Sequence, residues 1–142
     1  MLKLALTLDE ERITLGQPIH GKLSLKNAGD DPQLVNSRLT INKSFAPAAF
    51  REVYFTLNDS SGKPVDFMLK INIGGPQPND FRELAPGESA EREFDLDMYY
   101  MLEQPGAYSL QAFYENHAEP GDGREAWTGK VKSDPVEFVL GS

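Results

Sequence analysis

An all-β sandwich of about seven to nine antiparallel strands is the fold class this sequence predicts. Three observations carry it. Apolar residues recur with a period of two along most of the chain. Turn-forming clusters separate those runs at short intervals. No amphipathic stretch reaches the ~10 residues of an ordinary helix. The 142 residues fit a single domain spanning 1–142, which at this size buries roughly 70% of its unfolded surface and needs no crosslink.

The runs follow in order. Leu2, Leu4, Leu6 and Leu8 alternate with Lys3, Ala5 and Thr7. Ile19, Gly21, Leu23 and Leu25 alternate with His20, Lys22 and Ser24. Val35, Ser37, Leu39 and Ile41 repeat the pattern more weakly, and Val53, Phe55 and Leu57 form another set. Val65, Phe67, Leu69, Ile71 and Ile73 make the longest run. Arg92, Phe94 and Leu96 follow, and then Tyr108, Leu110, Ala112 and Tyr114 share one face. Each set reads as a half-buried strand, because alternate side chains point to opposite faces.

The last stretch changes parity. Trp127, Gly129 and Val131 are odd, whereas Val136, Phe138 and Leu140 are even. A one-residue slip turns a strand over, so Ser133-Asp134-Pro135 is expected to absorb the change as a bulge in one long, broken strand.

Turn chemistry marks the breaks. Residues 27–32, 58–63, 74–80, 85–88 and 119–123 are rich in Gly, Pro, Asn and Asp. One short helical turn is expected near 97–103, with Asp97 as its cap and Pro105-Gly106 as its end.

Leu84-Ala85-Pro86-Gly87-Glu88-Ser89, the Met98-Tyr99-Tyr100 segment, Pro105-Gly106-Ala107-Tyr108-Ser109-Leu110 and Ser133-Asp134-Pro135-Val136-Glu137-Phe138 occur in an informative order. From about Leu84 to Leu140 this order resembles bacterial immunoglobulin-like β-sandwich domains. It is similar to the domain preceding the catalytic domain of deuterolysin-type zinc proteases and to the intracellular proteinase inhibitors of bacilli. The resemblance implies a fold. Functions found on it include prodomains, inhibitors, adhesive modules and spacers, so it assigns no role. Tyr108 stands where such sandwiches place a tyrosine corner, its hydroxyl bonded to backbone in the preceding crossover. Leu110 stands where antibody domains carry a disulfide cysteine. Trp127 is not on the third strand, a departure from the antibody pattern.

The chain has no cysteine and a net charge of −8. Thiolate chemistry and Cys-ligated zinc are excluded. An acidic surface argues against nucleic acid and anionic membranes as partners. No segment approaches the ~20 apolar residues of a membrane helix. Met1–Leu8 is too short for a signal peptide and Asp9, Glu10 and Glu11 follow it. A cytoplasmic chain, or a domain of a longer exported protein, is expected.

No catalytic, cofactor or metal residues are assigned. His20 and His117 lie outside any HExxH or triad spacing and read as surface residues. Asp30-Asp31 and the Asp122 loop could supply calcium oxygens but lack a DxDxDG pattern, so capping and solubility explain them. Gly74-Gly75-Pro76 lacks the rest of a phosphate loop. Phe45, Phe50, Tyr99, Tyr100 and Tyr114 are the candidates for an exposed aromatic surface, against a reading in which Phe45 and Phe50 cover one end of the core. The expected function is non-catalytic: a protein-interaction or structural module. A protease inhibitor or prodomain-like regulator and a carbohydrate-binding module are the alternatives. Exposed edge strands offer a route to homo-oligomers.

Overall fold

The computed structural model describes residues 1–43, 46–47, 51–68 and 74–141. Among them are ten strands: β1 (Leu2–Leu8), β2 (Arg12–Thr14), β3 (His20–Asn27), β4 (Gln33–Asn36), β5 (Val53–Asp59), β6 (Phe81–Leu84), β7 (Ser89–Asp95), β8 (Gly106–Asn116), β9 (Gly129–Lys132) and β10 (Val136–Gly141). The chain is all-β. One sheet has the order β1-β3-β7. A second has the order β2-β10-β8-β5, with β9 also paired to β8, and β4 pairs with β6.

The alternating residues lie where period two places them. Leu2, Leu4 and Leu6 of β1, Leu23 and Leu25 of β3, and Leu110, Ala112 and Tyr114 of β8 are buried, while Lys3, Ala5, Lys22 and Thr7 are exposed. The inner faces of the two larger sheets share one core. Phe55 from β5 meets Phe94 from β7 across it, with ring centroids 5.1 Å apart. Each fully buried aliphatic side chain here is worth about 1.5–3 kcal/mol of transfer free energy. Gly21 sits where a Cβ would lie 2.6 Å from the Phe94 ring and 2.8 Å from the Thr7 carbonyl oxygen. Its apparent weakness in an apolar series is therefore a packing requirement.

The parity change at the end of the chain is a bulge. Tyr114 pairs with Val131, and Leu110 pairs with Val136. Two β8 residues thus face three residues, Ser133, Asp134 and Pro135. The Ser133 amide donates to the Ala112 carbonyl at 2.9 Å, and the Ser133 hydroxyl accepts from the Ala112 amide at 3.0 Å. The side chain takes over the acceptor role that the ladder loses, so no buried amide is orphaned.

The turns also follow their chemistry. Gly87 has φ of 88°, as the Pro86-Gly87 pair demands, and Glu88 N–H donates to the Ala85 carbonyl at 2.9 Å. Asp59 closes the hairpin turn by accepting from the Ser61 and Lys63 amides at 2.9 and 3.0 Å.

The Tyr108 hydroxyl donates to the Gln104 carbonyl at 2.7 Å, and its ring stacks on Phe138 at 5.4 Å. Burial, with a smaller push from the Asp59 carboxylate, holds the phenol above its usual range, so it stays a donor. Leu110, two residues on, is fully buried. Tyr108→Phe keeps the ring and removes the bond. It should lower stability by about 1 kcal/mol, read as a lower denaturant midpoint with unchanged slope. A shift under a few tenths would show that the bond does not hold the crossover.

Several expectations need correction. Ten strands exceed the expected range, and β2 runs parallel to β10. β2 has three residues and β6 four, too short to show a period. The run at Val35–Ile41 is a strand only to Asn36, because Leu39 takes φ of 52° and turns the chain while staying buried. Of the run at Val65–Ile73, the described part makes one isolated bridge, Phe67 with Tyr100, just after another between Asn58 and Pro64, and Leu69, Ile71 and Ile73 lie outside the described residues. The helical turn spans Leu96–Met98, one residue early and much shorter than 97–103. Asp97 does not cap it. Its carboxylate accepts from the Ile19 amide at 2.9 Å and ties the crossover to β3.

Candidate functional site

Three of the five candidate surface aromatics are interior. Tyr99 and Tyr100 are 6% and 4% exposed and Tyr114 is fully buried. Tyr114 points inward on β8 and donates from its hydroxyl to the Asn36 carbonyl at 3.0 Å. Tyr99 and Tyr100 pack with Phe67, whose ring lies 5.9 and 5.5 Å from theirs. Phe45 and Phe50 lie outside the described residues.

The histidines sit on carboxylates. His20 Nδ1 is 2.9 Å from Asp95 and Nε2 is 3.3 Å from Glu93. Hydrogen bonds to Asp95 and then Glu93 push its pKa up. His117 Nε2 is 2.6 Å from Glu115. The Asp122 carboxylate is engaged by Arg124, with Nη2 at 2.6 Å and Nε at 2.9 Å. At the other calcium candidate, the Asp31 carbonyl accepts from the Asn27 side chain at 2.7 Å. Asp80 accepts from the Gln77 amide at 2.7 Å and shapes the turn after Gly74-Gly75-Pro76. Among the described residues no three His, Cys, Asp or Glu side chains gather as a metal site.

Two polar clusters were invisible in the sequence. Arg38 holds Glu52 through Nε, 2.9 Å from Oε2, and through Nη2. Glu52 also accepts from the Thr40 amide at 3.1 Å and is 2% exposed. The second cluster centres on Glu115, an outward position of β8 that is nevertheless buried. Tyr54 donates to it at 2.9 Å, and Arg51 lies 3.7 Å away. Burial raises the Glu115 carboxyl, but hydrogen bonds from His117 and Tyr54 with the Arg51 charge outweigh it and hold it below its usual range. Its contribution to stability is therefore present above the unfolded carboxyl's pKa and fades as pH falls.

A third feature is apolar and exposed. Met68, Met98 and Met101 are 42%, 57% and 60% exposed. The Met68 amide donates to the Tyr99 carbonyl at 2.8 Å, which brings it to the Leu96–Met101 crossover. Met68 and Met101 rim a cavity of about 180 Å³ whose wall includes Ile19, Tyr100, Leu102 and Leu140. No period in the sequence marks this arrangement, because Met98 and Met101 flank two adjacent tyrosines that are both buried.

No protein-family model matches this chain, and no curated protein matches it in sequence.

Proposed function

We propose that this chain is a non-catalytic protein-interaction module built on an immunoglobulin-like β-sandwich. Two sheets sharing one core, the Tyr108 bond to Gln104 and the aliphatic Leu110 two residues later support the sandwich assignment. The observation that carries the function is the exposed pair Met68 and Met101 on the rim of one cavity, with Met98 exposed on the same crossover. Methionine adapts to irregular partner surfaces, and clustered exposed apolar groups mark contact sites more often than scattered ones do.

The test is crosslinking capture of partners from the source cell, comparing the native chain with a Met68→Asp, Met98→Asp, Met101→Asp variant. Exposed positions tolerate the change, so the unfolding temperature should stay within a few degrees. A specific partner captured by the native chain should be lost by at least about tenfold, the equivalent of ~1.4 kcal/mol. Identical capture by both chains would overturn the reading.

A further inference from the structure

The open side of the sandwich, between β1 and β9, carries a second surface. A groove of about 530 Å³ lies there, lined by Leu2, Lys3, Leu4, Lys130, Lys132 and, at one end, Asp134. On a chain of net charge −8, three lysines around one groove reverse the local sign. Lys130 extends its ammonium over the stacked Phe113 and Tyr54 rings, 5.2 and 5.7 Å from their centroids. Among the described residues, Lys3, Lys130 and Lys132 have no carboxylate within ion-pair distance.

The groove is bounded by two free strand edges. Backbone groups along a strand alternate between its two neighbours. The Glu115 amide donates to the Glu52 carbonyl on the β5 side, so Tyr114 and Asn116 face β9, where they pair with Val131 and Gly129. The backbone N–H and C=O of Lys130 and Lys132 therefore point away from β8, into the groove. On the opposite lip, Met1 accepts from Ala28 and Asp9 donates to His20, which assigns the odd residues of β1 to β3. Leu2 and Leu4 turn their backbone groups outward. β2 covers the outer edge of β10, but among the described residues nothing pairs with the outer edge of β9.

We infer that this groove captures an extended acidic peptide segment by strand addition to β9. The segment's backbone pairs with Lys130 and Lys132, its carboxylates meet Lys3, Lys130 and Lys132, and its alternate apolar side chains lie beside Val131, Leu2 and Leu4. An alternating acidic and apolar sequence fits both faces at once, because side chains on an added strand keep the period of the sheet. Asp134 sets the sign at the end of the groove and disfavours a carboxylate there. The inference rests on the reading that the chain works by binding, but on a surface separate from the exposed methionines.

The probe is a capped peptide alternating glutamate and valine, about eight residues long, titrated into the labelled full chain at low salt and followed by amide NMR. Saturable shifts are expected at residues 2–4 and 130–132, with binding weakened by added salt. Lys3→Glu with Lys132→Glu should weaken binding about tenfold. Lys132→Pro should abolish it while sparing the fold, because the amide it removes faces away from β8. A lysine–valine peptide should not bind. Undiminished binding to Lys132→Pro would reduce the groove to bare charge and overturn strand addition. If that variant unfolds, the native-chain shift map decides alone. Absence of saturable binding also overturns the proposal, as do shifts confined to Met68, Met98 and Met101. Light scattering that shows the native chain already dimerised through this edge, excluding the peptide, overturns it in favour of a second copy. None of these failures touches partner capture through the exposed methionines.

Discussion

Arg38→Met should lower the unfolding free energy by about 3–5 kcal/mol. The reason is the partner left behind. Glu52 is 2% exposed, and its oxygens accept from Arg38 Nε, Arg38 Nη2 and the Thr40 amide. Without the guanidinium, a buried carboxylate retains, among the described residues, one backbone donor and no ion-pair partner. The native pair need not be a large net stabiliser, because desolvating two ions offsets their attraction. Breaking it from one side costs far more than removing both. The double variant Arg38→Met with Glu52→Leu should therefore recover most of the loss. Urea unfolding of both singles and the double measures this coupling. A single-variant cost below ~1 kcal/mol, typical of a surface pair, would show that water reaches Glu52.

That pair also shows where sequence reading stops. Arg38 and Glu52 are charged and read as surface, and nothing in their spacing of 14 residues marks them as partners. Burial of alternating apolar residues is different. It is a local property, so Leu23, Leu25, Leu110 and Phe138 could be placed in the core from period two alone. The bulge at Ser133 was legible for the same reason, since a parity change on one strand has few physical solutions. Strand pairing is not local. The open edge of β9 exists because β2 covers β10 and stops there, which no run of residues in 129–132 encodes. The tyrosines at 99 and 100 misled because adjacent aromatics in an irregular crossover have no period. Their burial was settled by Phe67, some thirty residues earlier, packing on both.

Asn27→Leu should cost about 3 kcal/mol, or roughly 10 °C in unfolding temperature for a chain of this size. Asn27 is fully buried at the end of β3. Its Nδ2 donates to the Asp31 carbonyl at 2.7 Å and to the Leu84 carbonyl at 2.9 Å, and its Oδ1 accepts from the Gly29 amide at 3.0 Å. Its own backbone joins the 85–88 turn, with N–H to the Glu88 carbonyl at 2.9 Å and C=O from the Gly87 amide at 2.8 Å. One side chain thus pins the 28–32 loop and the end of β6 to the first sheet. Leucine matches its size but satisfies none of the three groups, and the buried Leu84 carbonyl has no water to turn to. The cost should be local as well as global, with faster hydrogen exchange at Gly29. Asn27→Asp separates the contributions. It keeps the acceptor for Gly29 but loses both donors and sets a carboxylate against two carbonyl oxygens, so it should be at least as damaging as leucine near neutral pH. If Asn27→Asp were instead the milder change, the Gly29 bond, and not the link to Leu84, would be what holds this corner.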